Sequence, residues 1–129
     1  MRSLSRVSVR IGLLAAALAL APLAAHAAGD AAKGKVLYDT NCSSCHGPTG
    51  MGDGPVGAAL PEPKPRNFAV GEFKFDTDKD GKTGTDTDLM NVISNGAAAY
   101  GGNPMMASWA HLSEQDRADL IAYIRTLHK

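Results

Sequence analysis

The chain has 129 residues, with 13 basic and 13 acidic side chains and a formal net charge of zero. This length sets one domain as the upper limit, and there is no clustered basic stripe of the kind that binds nucleic acid. Only 5% of the residues are aromatic and 14 are glycine, so the core that the polypeptide alone can build is thin.

The N-terminus has the features of a secretory signal peptide. A basic start with three arginines precedes an apolar run over residues 11–21, and Ala25-His26-Ala27 is a typical cleavage site. The apolar run is too short to cross a bilayer. We therefore expect residues 1–27 to be cleaved and residues 28–129 to form an exported, periplasmic domain without a membrane span. The alternative is an uncleaved anchor in the membrane interface. Loss of the three arginines would leave a formal net charge of −3.

A short helix predicted over residues 30–41 leads into the motif Cys42-Ser43-Ser44-Cys45-His46, which contains both cysteines of the chain. C-x-x-C-H is the attachment pattern of c-type haem. Thiols one helical turn apart can both reach the vinyl-derived carbons of one porphyrin, and the next residue can place its imidazole over the iron. We predict that Cys42 and Cys45 bind one haem c through two thioether bonds and that His46 is an iron ligand.

Two other kinds of site use such cysteine pairs. A redox dithiol sits beside a βαβ pattern, whereas residues 47–55 favour a loop. A closed zinc site needs four ligands, and neither His111 nor His128 has the spacing of a second half-site. Haem attachment is the favoured interpretation, and a periplasmic dithiol oxidoreductase stays an alternative.

The middle of the chain is predicted to be irregular. Residues 47–72 are predicted to be loop, since four prolines between residues 55 and 65 argue against helix and central strand. Such a long irregular stretch would wrap a haem edge. Phe73 and Phe75 alternate with polar residues, which predicts a short strand over residues 72–75. Residues 76–81 resemble the opening of a calcium-binding loop, but Thr87 stands where a bidentate glutamate is required. We favour a solvated acidic loop and leave calcium binding open.

Two further helices are predicted. One begins at Thr87 or Asp88 and is ended by Gly96. The other begins after Ser113, an N-cap residue with Asp116 three positions later, and its apolar residues follow helical spacing.

Across residues 28–129 the chain resembles the class I c-type cytochromes, the family of small monohaem cytochromes c. This resemblance implies an all-α cytochrome c fold, with three or more short helices and long loops wrapped round one covalently bound haem. It also implies that Gly34 and Tyr38 of the first helix pack against the Tyr123 face of the last helix. The segments that carry it are residues 34–38, 42–46, 106–109, 112–113 and 120–124.

Four methionines of the exported domain could bind the iron opposite His46. Met51 is too close to His46 in sequence to reach the other face, and Met90 lies in a predicted helix where a packing role is expected. The remaining candidates, Met105 and Met106, precede the last helix, where the family carries its distal ligand.

The family commonly shows Met-Pro-x-aromatic at this place. Alignment of the aromatic residue with Trp109 makes Met106 the iron ligand and puts Ala107 where the proline usually stands. Met105 is the second choice because the missing proline removes one anchor of the register. His111 could also ligate, although a surface role suits it better.

Two further kinds of contact to the haem group are expected, of which the resemblance implies only the first, a loop-proline carbonyl bonded to His46. The second nitrogen of His46 needs an acceptor, for which we choose the carbonyl of Pro55, with the group of prolines at residues 61–65 as the alternative. Arg66, Tyr100 and Trp109 are candidates to bond the haem propionates.

Iron with both axial positions filled has no vacancy for a small-molecule substrate. We therefore predict a one-electron carrier that meets redox protein partners transiently and is not an enzyme. The main alternative is a haem enzyme or gas-sensing domain with a labile sixth ligand.

Overall fold

A computed structural model describes residues 28–129, so the predicted signal peptide and its cleavage site lie outside the described residues. The described part is helical and contains no strand, which confirms the all-α prediction. Within it, no helix is long and apolar enough to span a membrane. The elements are α1 (Ala31–Asn41), α2 (Ser43–His46), α3 (Pro55–Ala59), α4 (Asp86–Asn95), a 3-10 helix (Ala97–Tyr100) and α5 (Glu114–Thr126).

Helix α1 begins where the sequence predicts it. The Asp30 carboxylate caps its first turn by accepting hydrogen bonds from the backbone N–H groups of Ala32 (2.9 Å) and Lys33 (3.3 Å). At its other end the N–H of Cys42 donates to the carbonyl of Tyr38 at 2.8 Å. The helix therefore delivers the cysteine motif directly from its last turn.

Helices α1 and α5 pack closely against each other. A Cβ on Gly34 would lie 1.9 Å from the carbonyl oxygen of Asp119, so only glycine permits this approach. The Tyr38 ring meets the Tyr123 ring edge-on, with centroids 5.1 Å apart. The predicted packing of Gly34 and Tyr38 against the last helix is confirmed.

Helices α4 and α5 both begin with a capping box. Thr85 and Asp88 form the first, and Ser113 and Asp116 form the second, as the sequence predicts for α5. Gly96 ends α4 with φ of 82°, a conformation that favours glycine. Both helix predictions are confirmed, with α4 beginning at Asp86.

Two local predictions are wrong. Residues 72–75 do not form a strand: the carbonyl of Phe75 accepts from the N–H of Gly84 (3.1 Å), but no ladder of such bonds is found in the described part of the chain. The stretch of residues 47–72 is not wholly irregular, since Pro55 opens the short helix α3. Proline suits the first position of a helix, where its missing N–H would have no intrahelical partner.

The core lies between α1, α4 and α5, and Phe68 from the long loop joins it. The core opens on one side into a cavity, which several core side chains also line. The buried residues of the core are Tyr38, Phe68, Leu89, Ile93, Leu120, Ile121 and Ile124.

Candidate haem-binding site

A large cavity lies between α2, α4, α5 and the loops that connect them. Its volume, including the open mouth, is about 1360 Å³. Most of its walls are apolar, which suits a flat apolar ligand. The apolar lining residues include Leu60, Phe68, Phe73, Phe75, Leu89, Val92, Ile93, Trp109, Leu120 and Ile124.

The cysteine motif forms one wall of this cavity. Cys42, Cys45 and His46 all line it, and both cysteines are free and half-buried. Burial, with a smaller contribution from the neighbouring Cys45, raises the pKa of the Cys42 thiol to about 11. A thiol with a raised pKa is a poor redox nucleophile, which weighs against the dithiol alternative.

His46 is held by a backbone carbonyl. Its Nδ1 lies 3.1 Å from the oxygen of Arg66, so the predicted partner Pro55 and the alternative at residues 61–65 are both wrong. Residue 66 follows the last proline of the long loop, and that loop runs back beside α2. Since a carbonyl only accepts, Nδ1 carries the proton and Nε2 keeps a lone pair for a metal.

The surroundings of His46 also favour a neutral imidazole. Its ring stacks on Phe68, with centroids 4.5 Å apart and planes 17° apart. Burial lowers the pKa of His46, and the hydrogen bond to Arg66 only partly opposes this. A neutral imidazole is the form that binds a metal.

The loop before α5 supplies another part of the lining. Met105 and Met106 both line the cavity, but Met105 is 64% exposed whereas Met106 is half-buried. The backbone of Met106 is fixed at both ends: its N–H donates to Asn103 (3.1 Å) and its carbonyl accepts from Ala97 (3.0 Å). The structure thus brings Met106 to the same cavity as Cys42, Cys45 and His46.

Asn103 fixes this loop and was not singled out from the sequence. Its side chain is nearly buried, and its Nδ2 donates to the carbonyls of Pro61 (3.0 Å) and Pro63 (3.1 Å). Its Oδ1 accepts from the N–H of Met105 at 2.9 Å. A polar residue in a flexible-looking Gly-Gly-Asn-Pro segment gives no sequence signal for such a bridge.

The other candidates for the distal position lie elsewhere. Met51 is exposed, and Met90 packs against the core; neither lines the cavity. His111 is exposed outside the cavity, with its ring 5.3 Å from that of Trp109.

Of the three proposed propionate partners, the structure brings two to the cavity. Arg66 and Trp109 line it, whereas Tyr100 lies outside and its hydroxyl accepts a hydrogen bond from Asn95 at 2.7 Å. Lys64, Lys74 and the buried carboxylate of Asp88 also line the cavity and were not predicted.

The acidic loop lies beyond the cavity wall. The carboxylate oxygens of Asp76, Asp78 and Asp80 lie within 4.8 Å of one another. Several of these oxygens already accept backbone hydrogen bonds, for example from the N–H of Gly81 to Asp76 at 2.9 Å. The carboxylates of this loop thus serve to order its own backbone.

Comparison with known proteins agrees with this geometry. The cytochrome c family model matches residues 31–128. Cytochrome c-554(547) of Halothiobacillus neapolitanus is 37% identical over 102 residues, covering 78% of this chain and 99% of that protein. The CcoP subunit of the cbb3-type cytochrome c oxidase of Azospirillum sp. (strain B510) is 31% identical over 104 residues, covering 78% of this chain and 29% of that subunit.

A solved structure shows the same fold. A chain of the reducing HAO-like protein complex of Kuenenia stuttgartiensis superposes with a TM-score of 0.62 at 35% identity. The match covers 74% of this chain and 41% of that one.

The helical fold and the cavity with its C-x-x-C-H wall define a small c-type cytochrome. The chain belongs to the cytochrome c family, as a class I monohaem member whose cofactor is a covalently bound c-type haem that carries electrons.

The residues present fit that group. The two thiols have the required spacing, His46 keeps one nitrogen free, and the cavity walls are apolar. The cations of Lys64, Arg66 and Lys74 line the same cavity and match the negative charge of haem propionates.

Proposed function

We propose that this chain is a periplasmic one-electron carrier in which Cys42 and Cys45 hold the haem and His46 and Met106 bind its iron. The observation that carries the proposal is the convergence on one cavity of the cysteine motif in α2 and a half-buried methionine sixty residues later. When bound, the haem supplies the exchange of a single electron between ferrous and ferric iron.

The protein holds and shields the group. Arg66 orients His46 through its carbonyl, and Asn103 fixes the methionine loop to the proline-rich loop. The apolar walls exclude water, which together with a thioether ligand favours the reduced state and a fairly high potential.

Met106 is favoured over Met105 by burial. A side chain that is 64% exposed loses more conformational freedom when it turns inward to bind a metal, whereas Met106 is already half-buried against the cavity. Iron ligated on both faces leaves no site for a substrate, which supports a carrier rather than an enzyme.

The partners we propose are redox proteins that bind transiently at the cavity mouth. Such encounters bury little surface. The CcoP and HAO-like relatives belong to redox assemblies by their names, and export of residues 28–129 after cleavage of residues 1–27 would place this chain in the periplasm.

The test compares Met106→Ala with Met105→Ala in the exported holoprotein. We expect the absorption band of thioether-bound ferric haem to vanish in the first variant and to persist in the second. Loss of the band only in Met105→Ala would transfer the ligand role to Met105. A band retained in both variants would rule out both residues.

A further inference from the structure

Asp88 is a buried acidic residue that lines the haem cavity. The residue is 1% exposed and lines the cavity from the first turn of α4. Carboxylates are rarely buried without a charged partner. Asp88 is not part of the ion pairs found among the described residues, which join Lys35 to Asp39 and Arg125 to Asp86.

Four neutral donors hold this carboxylate. Oδ1 accepts from the N–H (2.5 Å) and the hydroxyl (2.8 Å) of Thr77, and Oδ2 accepts from the N–H and the hydroxyl of Thr85, both at 2.8 Å. The bonds order the loop between Phe75 and α4 as well as capping the helix.

The network requires Asp88 to be ionised. The Thr77 hydroxyl accepts from Asn91 Nδ2 at 2.9 Å, and the Thr85 hydroxyl accepts from the N–H of Asp88 at 3.1 Å. Each hydroxyl therefore has its own proton free to donate to the carboxylate. A protonated Asp88 would add a donor where four donors already converge. Although burial opposes ionisation, these hydrogen bonds lower the pKa of Asp88 to about 2.

We propose that Asp88 is a positioning residue that lowers the reduction potential of the bound haem through its charge. This rests on the proposed function. Ferric haem carries one more positive charge than ferrous haem, so a fixed negative charge in a poorly solvated wall favours the oxidised form. Neither of two cations from the neighbouring segments forms an ion pair with it: Arg125 is engaged by Asp86 and the Gly84 carbonyl, and Lys74, which also lines the cavity, is exposed.

The test is a redox titration of the holoprotein with Asp88→Asn, which removes the charge and keeps the size of the side chain, although its amide nitrogen can no longer accept from one of the two threonines. At the potential where the wild type is half reduced, we expect the ferrous-to-ferric ratio of the variant to be at least threefold higher. This corresponds to a rise of about 30 mV, at 59 mV per tenfold change for one electron. An unchanged or lower potential would overturn the proposal.

The direction of the change in reduction potential distinguishes an effect of the Asp88 charge from a purely structural effect. If Asp88 only closed the wall, its loss would admit water and stabilise ferric haem, which lowers the potential. Asp119→Asn is the matched control: this carboxylate is also buried, held by Asp30 N–H and Gln115, but it does not line the cavity. Asp119→Asn should raise the reduction potential by less than half as much as Asp88→Asn. An equal rise in the two variants would overturn the assignment to Asp88.

Thr77→Val carries the test if too little Asp88→Asn holoprotein accumulates. It retains the carboxylate and removes one donor that spreads its charge, so the potential should fall, and no change or a rise would overturn the proposal. Every sample is first checked for covalent haem and for the thioether band. Failure of that check in the wild type counts against the proposed function, whereas a failed shift in loaded protein counts against Asp88 alone.

Discussion

The side chain of Asn103 donates a hydrogen bond to the carbonyl of Pro61 at 3.0 Å, and so joins the methionine loop to the proline-rich loop. A second bond from the same nitrogen reaches Pro63. Both loops line the cavity, and the residues between them in sequence include all of α4.

Replacement of Asn103 by Ala should weaken the bond between Met106 and iron. The carbonyls of Pro61 and Pro63 lose their donor and the N–H of Met105 loses its acceptor, at a net cost of roughly 0.5–1.5 kcal/mol per hydrogen bond because Pro61 and Pro63 are exposed to water. We expect the ferrous protein to bind carbon monoxide at least tenfold more tightly than the wild type at neutral pH. Pro104→Ala, an exposed change in the same loop, is the control. Unchanged carbon monoxide affinity would show that Asn103 does not hold the loop.

Carbon monoxide also separates the carrier from the alternative with a labile sixth ligand. A wild-type protein with a firm Met106–iron bond resists carbon monoxide at neutral pH, and Met106→Ala should bind it readily. Ready binding by the wild type would favour the gas-sensing or enzymatic interpretation.

Tyr38 links α1 to the residue after the haem motif. It is fully buried, and its hydroxyl donates to the carbonyl of Gly47 at 2.7 Å. Tyr38→Phe should cost about 1–2 kcal/mol and lower the melting temperature by several degrees, because the carbonyl loses its partner. Tyr123→Phe is the matched control, since no hydrogen bond from its hydroxyl is found in residues 28–129. Equal melting temperatures for the two variants would contradict this role.

Gly34→Ala should disrupt the packing of α1 on α5. The added carbon would meet the Asp119 carbonyl at 1.9 Å, so the helices must separate, at a cost of roughly 1–3 kcal/mol or more. Val36→Ala, at an exposed position of the same helix, should have little effect. Denaturant unfolding measures both, and a stable Gly34→Ala variant would show that the helices do not approach this closely.

Asp88 should also make stability depend on acid pH. Its pKa in the folded protein, about 2, lies below its ordinary value of 3.8, so its contribution is complete above about pH 4 and is lost as the pH falls towards 2. Asp88→Asn should therefore be less stable than the wild type at pH 6 but lose less stability between pH 4 and 2. Asp78→Asn, an exposed change, controls for the lost charge, and parallel curves for wild type and Asp88→Asn would contradict the assignment.

The sequence predicts those parts of the molecule that local chemistry determines. The N-cap at Ser113, the ending of α4 at Gly96 and the spacing of the cysteine motif all depend on near neighbours in the chain. The resemblance adds the packing of Tyr38 on Tyr123, which the structure confirms.

Contacts between distant loops could not be predicted in the same way. Phe73 and Phe75 alternate like a strand, but a strand needs a partner, and both side chains line the cavity instead. The carbonyl that holds His46 belongs to Arg66, since it depends on how a long loop folds back. The sequence did not indicate the role of Asn103, because its hydrogen bonds join two loops that are distant in the chain. It did not indicate the role of Asp88, because that residue resembles an ordinary member of a helix cap.

The most direct measurement is the mass of the exported protein, made in a host that matures c-type cytochromes, then denatured and extracted with acidified organic solvent. We predict one species, residues 28–129 plus one haem, and replacement of both Cys42 and Cys45 by Ala should abolish the added mass. A wild-type mass equal to that of the bare polypeptide would contradict a haem held through these two cysteines.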